Sequence, residues 1–188
     1  LILSTTKGNT NLTSPADSAR RIAKYLNIPA EPIVVCNACI SGLAAVVLGK
    51  RLIEAGAYDY AVVCGADRQG KFIISGFQSL KALSPEECRP FDIERLGLNL
   101  GEAAATVVMS REKQSDGDWN IVSGAVRNDA YHVSAPSRKG EGLYRALCRI
   151  VGGKSKDRLA FVNAHGTATM FNDQMESVAL QRMGYTDI

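Results

Sequence analysis

The stretch that decides the fold is VVCNACISGLAAVV, residues 34 to 47, in which a β-branched run leads through two cysteines into a long apolar segment. IVVC (33–36) predicts a short strand, and the segment 41–55, closed by Gly56, predicts a helix. YAVVCGA (60–66) predicts another buried strand, of the kind found in parallel sheets. Because a strand, a helix and a strand in this order form a βαβ unit, the sequence predicts an α/β fold.

Further elements are predicted on both sides of this unit. Ser14 and Pro15 are typical of a helix start, and this helix is expected to reach about Leu26. Since residues 67–101 are rich in Gly and Pro, they predict loops. The helix at 41–55 is apolar around nearly its whole circumference, so we expect its first three turns to be buried on all sides. The remaining expected elements are strands at 1–6, 103–110, 120–128 and 158–166 and helices at 143–151 and about 173–183.

The polar segment REKQSDGD, residues 111 to 118, is the best candidate for a boundary between two halves. We therefore expect one half over 1–112 and the opening of another over 118–188. The chain starts with Leu1 in a strand already under way and stops just after a helix. These ends lead us to expect a piece of a longer protein.

Composition and charge argue against several classes of protein. The 22 Lys and Arg residues nearly balance 19 Asp and Glu residues, and no basic cluster is dense enough for a nucleic-acid or membrane surface. Neither a membrane span of roughly 20 apolar residues nor a secretory leader is recognisable, so we expect a cytoplasmic protein. The five cysteines form no regular framework, and we expect reduced thiols.

Cys36 and Cys39 are three residues apart, and three interpretations compete. A zinc site would need two further ligands at comparable spacing, yet the other cysteines are isolated and the only histidines are His132 and His165. A redox pair would suit the position between a strand and a helix, although the usual neighbouring Trp and Pro are absent. In the third interpretation Cys39 is a nucleophile at the positive end of a helix dipole, and Cys36 packs in the strand. From this stretch alone, buried filler explains Cys39 equally well.

The same turn would also serve acyl transfer. Backbone N–H groups at a helix start can stabilise the oxyanion that forms when a thioester carbonyl is attacked. The small residues Ala38, Ser41 and Gly42 would let a substrate approach.

The second motif is VNAHGTATMFNDQMES, residues 162 to 177. His165 follows a predicted strand and opens a Gly-containing loop, a position where α/β proteins display reactive side chains. A neutral imidazole there could donate a hydrogen bond to a carbonyl oxygen or take part in proton transfer. Thr167 and Thr169 alternate with small residues and could direct their hydroxyls into a channel.

Two acidic residues follow this loop. Asp173 and Glu176 are three apart and so lie on one face of the last predicted helix. A structural explanation is equally available, in which the loop is a capped turn and Asp173 is the N-cap of that helix. On this motif alone, the structural explanation is the better one.

Taken together, the two motifs resemble those of the β-ketoacyl synthases, the condensing enzymes of fatty-acid and polyketide synthesis. The similarity runs over essentially all 188 residues, in five ordered segments. These are Ala38-Cys39-Ile40-Ser41-Gly42, Arg89-Pro90-Phe91-Asp92, Gly101-Glu102 with Arg95 before it, NDAYHVSAP at 128–136, and NAHGTAT followed by Asp173 and Glu176.

The resemblance implies roles for individual residues. Cys39 would accept the acyl group as a thioester, and its backbone N–H would contribute to the oxyanion hole. His165 would be one of two histidines that assist malonyl decarboxylation and stabilise the enolate. His132, by contrast, falls in a part of the family pattern that is not catalytic.

Supporting roles follow from the same resemblance. Thr167 and Thr169 would hold the phosphopantetheine arm of acyl carrier protein. Glu176 would pair with a lysine further along the family's chain, and Asp173 would brace the same region. Asn163 is a weaker candidate for a monovalent-cation site, and no other metal site is expected.

For the whole protein, the resemblance implies the thiolase fold, two α/β halves packed as five αβαβα layers, of which this chain would hold an incomplete part. The implied activity is that of a 3-oxoacyl-[acyl-carrier-protein] synthase, a decarboxylative Claisen condensation. It implies acyl carrier protein as partner, a homodimer, and no cofactor beyond the carrier's phosphopantetheine. A thiolase-superfamily acyltransferase and a non-catalytic chain-length partner subunit remain alternatives. We expect the 188-residue chain alone to be inactive, because the family's second histidine and its lysine would lie beyond its end.

Overall fold

The computed structural model describes residues 1–8, 13–132, 135–151 and 159–185. The elements are β1 (Ile2–Ser4), α1 (Pro15–Tyr25), β2 (Ile33–Val35), α2 (Ser41–Glu54), β3 (Tyr60–Asp67), α3 (Lys71–Ser79), β4 (Ala103–Ser110), α4 (Glu141–Val151) and α5 (Met170–Arg182). Strands and helices alternate from β1 to α4, as expected for an α/β protein, and a further helix, α5, follows α4. The elements fall into two compact units, 1–69 with 101–124 and 70–100 with 125–188.

The first unit is built on a four-stranded sheet with the order β2-β1-β3-β4. β1 pairs in parallel with both β2 and β3, and β4 pairs antiparallel with β3. The carboxyl ends of the three parallel strands therefore meet at one edge of the sheet. Thr5, Cys36 and Arg68 are the residues that follow these ends.

Helix α2 packs on this sheet through one face. Its buried residues are four apart: Ser41, Ala45, Gly49 and Ile53. A Cβ atom at Gly49 would overlap the side chain of Met109 on β4, so the helix approaches the sheet closely there. The core of the unit consists of Ile2, Ala45, Ile53, Ala61, Val63 and Met109.

The expected burial of α2 on all sides is wrong for the described structure. Leu43, in its first turn, is 73% exposed. The sheet covers one side of the helix, and nothing in the described part of the chain covers the opposite side of that turn. Apolar composition predicts that a surface can be buried, whereas the neighbouring elements determine which surface is buried.

The second unit contains α3, α4 and α5, with α4 packed on α5. Helix α3 lies inside the region predicted to be loops, so that prediction is wrong for Lys71–Ser79. Its start has Gly70 at the N-cap without a side-chain hydrogen bond, and Gly76 interrupts its interior. Both features are typical of loops in a sequence, and they concealed the helix.

Two predicted strands are absent. Residues 120–128 and 159–166 form no strand, and residue 158 lies outside the described ranges. An extended segment becomes a strand only when a neighbour accepts and donates its backbone hydrogen bonds, and no described segment pairs with either one. Their apolar side chains are accordingly accessible, with Val122 63% and Phe161 71% exposed.

The other predicted elements are confirmed within a few residues. Ser14 caps α1, since its hydroxyl accepts a hydrogen bond from the Asp17 backbone N–H. The last helix begins at Met170, three residues earlier than expected. Within the described ranges, no helix combines the length and apolar character that crossing a bilayer would require.

Candidate functional site

Cys39 lies in the turn between β2 and α2, at the edge where the parallel strands end. The turn is compact, because the Ile40 N–H donates to the Asn37 carbonyl at 3.2 Å. Ala38 has φ +46°, a left-handed conformation that is uncommon for a residue with a Cβ atom. The Cys39 residue is exposed. The prediction that Cys39 stands at a strand-to-helix turn is therefore confirmed, and its thiol is not buried filler.

The Ser41 hydroxyl fixes the shape of this turn. It accepts a hydrogen bond from the Asn37 N–H at 2.7 Å and donates to the Ala38 carbonyl at 2.7 Å. It also approaches the carbonyl of Thr5, at the end of β1, at 3.3 Å. Ser41 is 4% exposed, so it holds the turn from beneath and does not provide an open approach for a substrate. Gly42, by contrast, is exposed, and a Cβ atom there would contact nothing within 4 Å.

The remaining thiols give no support to a metal centre. All five cysteines are free, and Cys36 is exposed although it was expected to pack in the strand. It follows the last residue of β2, so its side chain lies beyond the part of the strand that the sheet covers. Among the residues that the structure describes, no three His, Cys, Asp or Glu side chains gather closely enough to hold a metal ion. Asn163, the weak cation candidate, is exposed.

His165 belongs to the second unit, where it is exposed in the turn before α5. Glu176, on α5 and 5% exposed, accepts a hydrogen bond from the His165 backbone N–H at 2.8 Å and another from the Gly166 N–H at 2.7 Å. The Asn172 amide donates to the same carboxylate at 3.3 Å. One buried carboxylate thus fixes the backbone that displays the histidine. The expected pairing of Glu176 with a downstream lysine stays a prediction.

The two threonines after His165 are partners of each other. The hydroxyls of Thr167 and Thr169 are 2.7 Å apart, and both residues are partly buried. Ala168 between them is fully buried and has φ +56°. Because one hydroxyl donates to the other, the second hydroxyl keeps a proton for another acceptor.

Asp173 is not the N-cap of α5. The helix starts at Met170 with Thr169 in the cap position, and Asp173 lies one turn further on. Its side chain is 1% exposed and accepts a hydrogen bond from the Phe91 backbone N–H at 2.8 Å. The cap prediction is wrong because it rested on local residue types alone. The Asp173 carboxylate instead accepts a hydrogen bond from a residue 82 positions away in sequence.

An open surface pocket of about 670 Å³ lies in the same unit. It is lined by His132, which is not among the predicted site residues, together with Arg127, Asp129, Asn172 and Met175. Partial burial raises the pKa of Asp129, but the hydrogen bonds from Ser137 and Gly142 together outweigh it and leave the pKa below its ordinary value. The structure thus places polar groups from 127–132 beside α5, an arrangement that the sequence did not indicate.

The structure gathers His165, Thr167, Thr169, Asp173 and Glu176 at the start of α5, while Cys39 lies in the first unit. Neither Arg95 nor Phe91 is among the predicted site residues, yet both contact Asp173 from the segment after α3. The available signal was their position within the Arg89-Pro90-Phe91-Asp92 segment and just after it.

Comparison with known proteins identifies the family. Beta-ketoacyl synthase, N-terminal domain, matches residues 4–115, and Beta-ketoacyl synthase, C-terminal domain, matches residues 120–187. Nodulation protein E of Rhizobium meliloti is 28% identical over 175 residues, which cover 90% of this chain and 44% of that protein. 3-oxoacyl-[acyl-carrier-protein] synthase 2 of Rhizobium meliloti (strain 1021) is 33% identical over 164 residues, covering 79% of this chain and 39% of that protein.

The structural comparison agrees. The chain is similar to the ketosynthase ApeO, solved in complex with its chain length factor ApeC from Xenorhabdus doucetiae, with a TM-score of 0.86 and 31% identity. The match covers 98% of this chain and 52% of that chain, so the sequence spans about half the length of the proteins it matches. The expected thiolase-like α/β fold is confirmed. Since the two family descriptions together account for almost the whole sequence, the chain belongs to the β-ketoacyl synthase family.

Proposed function

We propose that the protein is a 3-oxoacyl-[acyl-carrier-protein] synthase that performs a decarboxylative Claisen condensation in fatty-acid or polyketide-type synthesis. The observation that carries this proposal is the exposed Cys39 on a turn fixed by Ser41, in a chain of the β-ketoacyl synthase family. A condensing enzyme needs this nucleophile, whereas a partner subunit that only sets chain length does not.

In the first half-reaction, the Cys39 sulfur attacks the carbonyl carbon of an acyl thioester. A carbon–sulfur bond to Cys39 forms, the bond to the carrier's sulfur breaks, and the proton of the cysteine leaves with the carrier thiol. The acyl group is then held as a thioester on the protein. Covalent capture of this kind divides one difficult condensation into two steps with lower barriers.

In the second half-reaction, a malonyl thioester loses carbon dioxide. The electron pair of the broken carbon–carbon bond forms an enolate, which attacks the carbonyl carbon of the Cys39 thioester. The sulfur of Cys39 leaves and regains a proton, and the product is a 3-oxoacyl thioester two carbons longer. The enolate oxygen carries the developing negative charge, so a positioned imidazole donor at His165 would stabilise it.

We assign the fixed backbone at His165 to this second half-reaction. Two backbone hydrogen bonds to Glu176 restrict the His165–Gly166 turn, and hydrogen bonds to a carboxylate are stronger than those to neutral acceptors. A histidine held in this way loses less freedom when the enolate forms. The exposed position of His165 leaves it accessible to a substrate.

The threonine pair supports the expected role toward phosphopantetheine. That arm carries two amide groups, whose carbonyl oxygens accept hydrogen bonds. Thr167 and Thr169 together retain one hydroxyl proton beyond their mutual hydrogen bond, which suits one such carbonyl. We propose acyl carrier protein as the partner that delivers this arm.

The rest of the proposal concerns the oligomeric state, the cofactor requirement and the cellular location. The ketosynthase ApeO was solved in complex with its chain length factor, so assembly with a second chain has a precedent in a relative, and we propose a homodimer here. We propose that no cofactor beyond the carrier's phosphopantetheine takes part and that the reaction occurs in the cytoplasm. The condensation belongs to the complete protein, and the 188-residue chain alone is expected to be inactive.

Mass spectrometry of the complete protein tests the function. The protein is incubated with an acyl carrier-protein thioester and then with malonyl carrier protein. The expected results are an acyl adduct on Cys39, followed by release of carbon dioxide and a product two carbons longer. Cys39→Ala should abolish the acyl adduct and the longer product, because both need the thioester on Cys39, and Cys36→Ala, at a second exposed thiol, is the matched control.

Two results would contradict the proposal, each in favour of an alternative. An acylated Cys39 without a longer product would indicate an acyltransferase. Undiminished condensation by a Cys39→Ala variant within its natural assembly would indicate a non-catalytic partner subunit.

A further inference from the structure

An ion pair in the second unit lies beneath the predicted histidine turn. The Arg95 Nε atom is 3.5 Å from the Asp173 Oδ2 atom. The Asp173 side chain is 1% exposed and the Arg95 side chain 17% exposed, whereas the other arginine side chains in ion pairs of this unit are 31–65% exposed. An arginine so withdrawn from water needs a specific reason for its position.

The remaining nitrogens of Arg95 join two segments that are distant in sequence. Nη1 donates to the Asp92 carbonyl at 2.7 Å, and Nη2 donates to the Met170 carbonyl at 3.0 Å. Met170 is the first residue of α5 and follows the loop of His165. The planar guanidinium therefore bonds the segment 89–95 to the beginning of the helix that carries Asp173 and Glu176.

Phe91 is the residue that this arrangement restrains. Its φ is +64°, a conformation that is strained for a bulky side chain and persists only where the surroundings enforce it. The Asp173 carboxylate, held beside Arg95, accepts the Phe91 backbone N–H at 2.8 Å. Without Arg95, this carboxylate would lose the cation next to it, and the strained conformation would lose part of its support.

The restrained residues touch the turn that displays His165. Gly166 has φ +56°, and a Cβ atom built on it would lie 3.1 Å from the Pro90 Cβ and 3.3 Å from the Phe91 Cε2. The backbone next to His165 is therefore in close contact with Pro90 and Phe91. Glu176 holds this turn on one side by hydrogen bonds, and the Pro90–Phe91 pair supports it by packing.

We propose that Arg95 is a positioning residue for His165, acting through Asp173, Phe91 and Gly166. This inference rests on the proposed function. Arg95 matters for the half-reaction that uses the histidine, the decarboxylation of the malonyl thioester. It has no role in the loading of Cys39, which requires the nucleophile and not His165.

The test compares these two half-reactions in the complete protein. Cys39 acylation is measured by mass spectrometry, and decarboxylation is measured as carbon dioxide released from malonyl carrier protein. For Arg95→Met we expect decarboxylation to fall by about tenfold to a hundredfold, since misplacement of a reacting group by about 1 Å has effects of that size. Acyl loading should stay within about twofold of the unmodified protein.

Two further variants complete the design. Arg95→Lys keeps the positive charge but cannot reach three acceptors with one planar group, so it should recover part of the lost decarboxylation. Arg145→Met removes an arginine that makes an exposed ion pair with Glu141 in the same unit, and it should change neither half-reaction. Thermal unfolding of each variant reports any general loss of structure.

The possible outcomes separate the two proposals. A parallel loss of loading and decarboxylation in Arg95→Met, or no loss of either, would overturn the positioning role while the condensation itself stands. If the unmodified protein neither loads Cys39 nor releases carbon dioxide, the proposed function fails, and the positioning role fails with it.

Discussion

The two turns that display Cys39 and His165 are similar in outline but are held by different chemistry. Each precedes a helix and contains a residue with positive φ, Ala38 in one and Gly166 in the other. The cysteine turn is tied by the neutral hydroxyl of Ser41, and the histidine turn by the buried carboxylate of Glu176.

The difference follows from whether a β-sheet lies next to the turn and can bond to its backbone. The cysteine turn lies at the end of three parallel strands, where the Thr5 carbonyl is already within 3.3 Å of Ser41. The histidine turn follows a segment that forms no strand in the described structure, so its backbone lacks a sheet to hold it. The Glu176 carboxylate on α5 supplies stronger, charge-assisted hydrogen bonds in its place.

The largest fall in the free energy of unfolding is expected when the Glu176 carboxylate is replaced. In Glu176→Gln, one oxygen is replaced by an amide NH₂ that cannot accept a hydrogen bond, so a backbone N–H of His165 or Gly166 loses its acceptor. A buried donor left in this way, together with a lost charge-assisted bond, costs about 3 kcal/mol. The free energy of unfolding, measured by urea titration, should fall by that amount.

The matched control lies two residues earlier on the same helix. Gln174 is exposed, and its replacement by Ala should change the free energy of unfolding by no more than about 0.5 kcal/mol. Equal effects of the two substitutions would show that the carboxylate does not hold the histidine turn.

A smaller effect is expected at the cysteine turn. Ser41→Ala removes the acceptor of the Asn37 N–H and the donor to the Ala38 carbonyl. Neutral hydrogen bonds contribute about 1 kcal/mol each, so the free energy of unfolding should fall by about 1–2 kcal/mol. Ser79→Ala, at an exposed serine whose hydroxyl donates to the Gly76 carbonyl of its own helix, is the control. If Ser41→Ala costs more than Glu176→Gln, the proposed difference between the two turns is wrong.

The sequence predicted those parts of the two turns that depend on neighbouring residues, and it did not predict contacts between residues distant in sequence. The cysteine turn was predicted well, because a β-branched run, an apolar run and the closing Gly56 are adjacent signals for a strand and a helix. At His165 only the helix that follows was predicted, to within three residues, because the strand expected before it is absent from the described structure.

The contacts beneath the histidine could not be predicted in this way. Asp173 and Phe91 are 82 positions apart, and no local pattern relates a buried carboxylate to a distant backbone N–H. The positive φ of Phe91 is also invisible in sequence, because a bulky residue ordinarily avoids it. Likewise, an apolar segment such as 120–128 predicts a strand but does not say whether a partner is present.

A third turn is also held by a carboxylate, that of Asp129. The smallest change in the free energy of unfolding is expected there. Asp129 accepts hydrogen bonds from the Ser137 N–H at 2.6 Å, the Ser137 hydroxyl at 2.7 Å and the Gly142 N–H at 2.9 Å, at the start of α4. Partial burial raises the pKa of this carboxyl, but the hydrogen bonds from Ser137 and Gly142 outweigh it and leave the pKa below its ordinary value.

The pH dependence follows from that direction. Because the folded-state pKa lies below the unfolded-state pKa, the stabilising contribution is fully present above about pH 4 and is lost as the pH falls through the folded-state value. In Asp129→Asn the free energy of unfolding should be lower at neutral pH and should depend less on pH below about 4. Urea titrations of both proteins across this range measure the difference. If the two proteins show the same pH dependence, the carboxylate of Asp129 contributes no charge-dependent stability. The Asp129 turn would then differ from the turn held by Glu176.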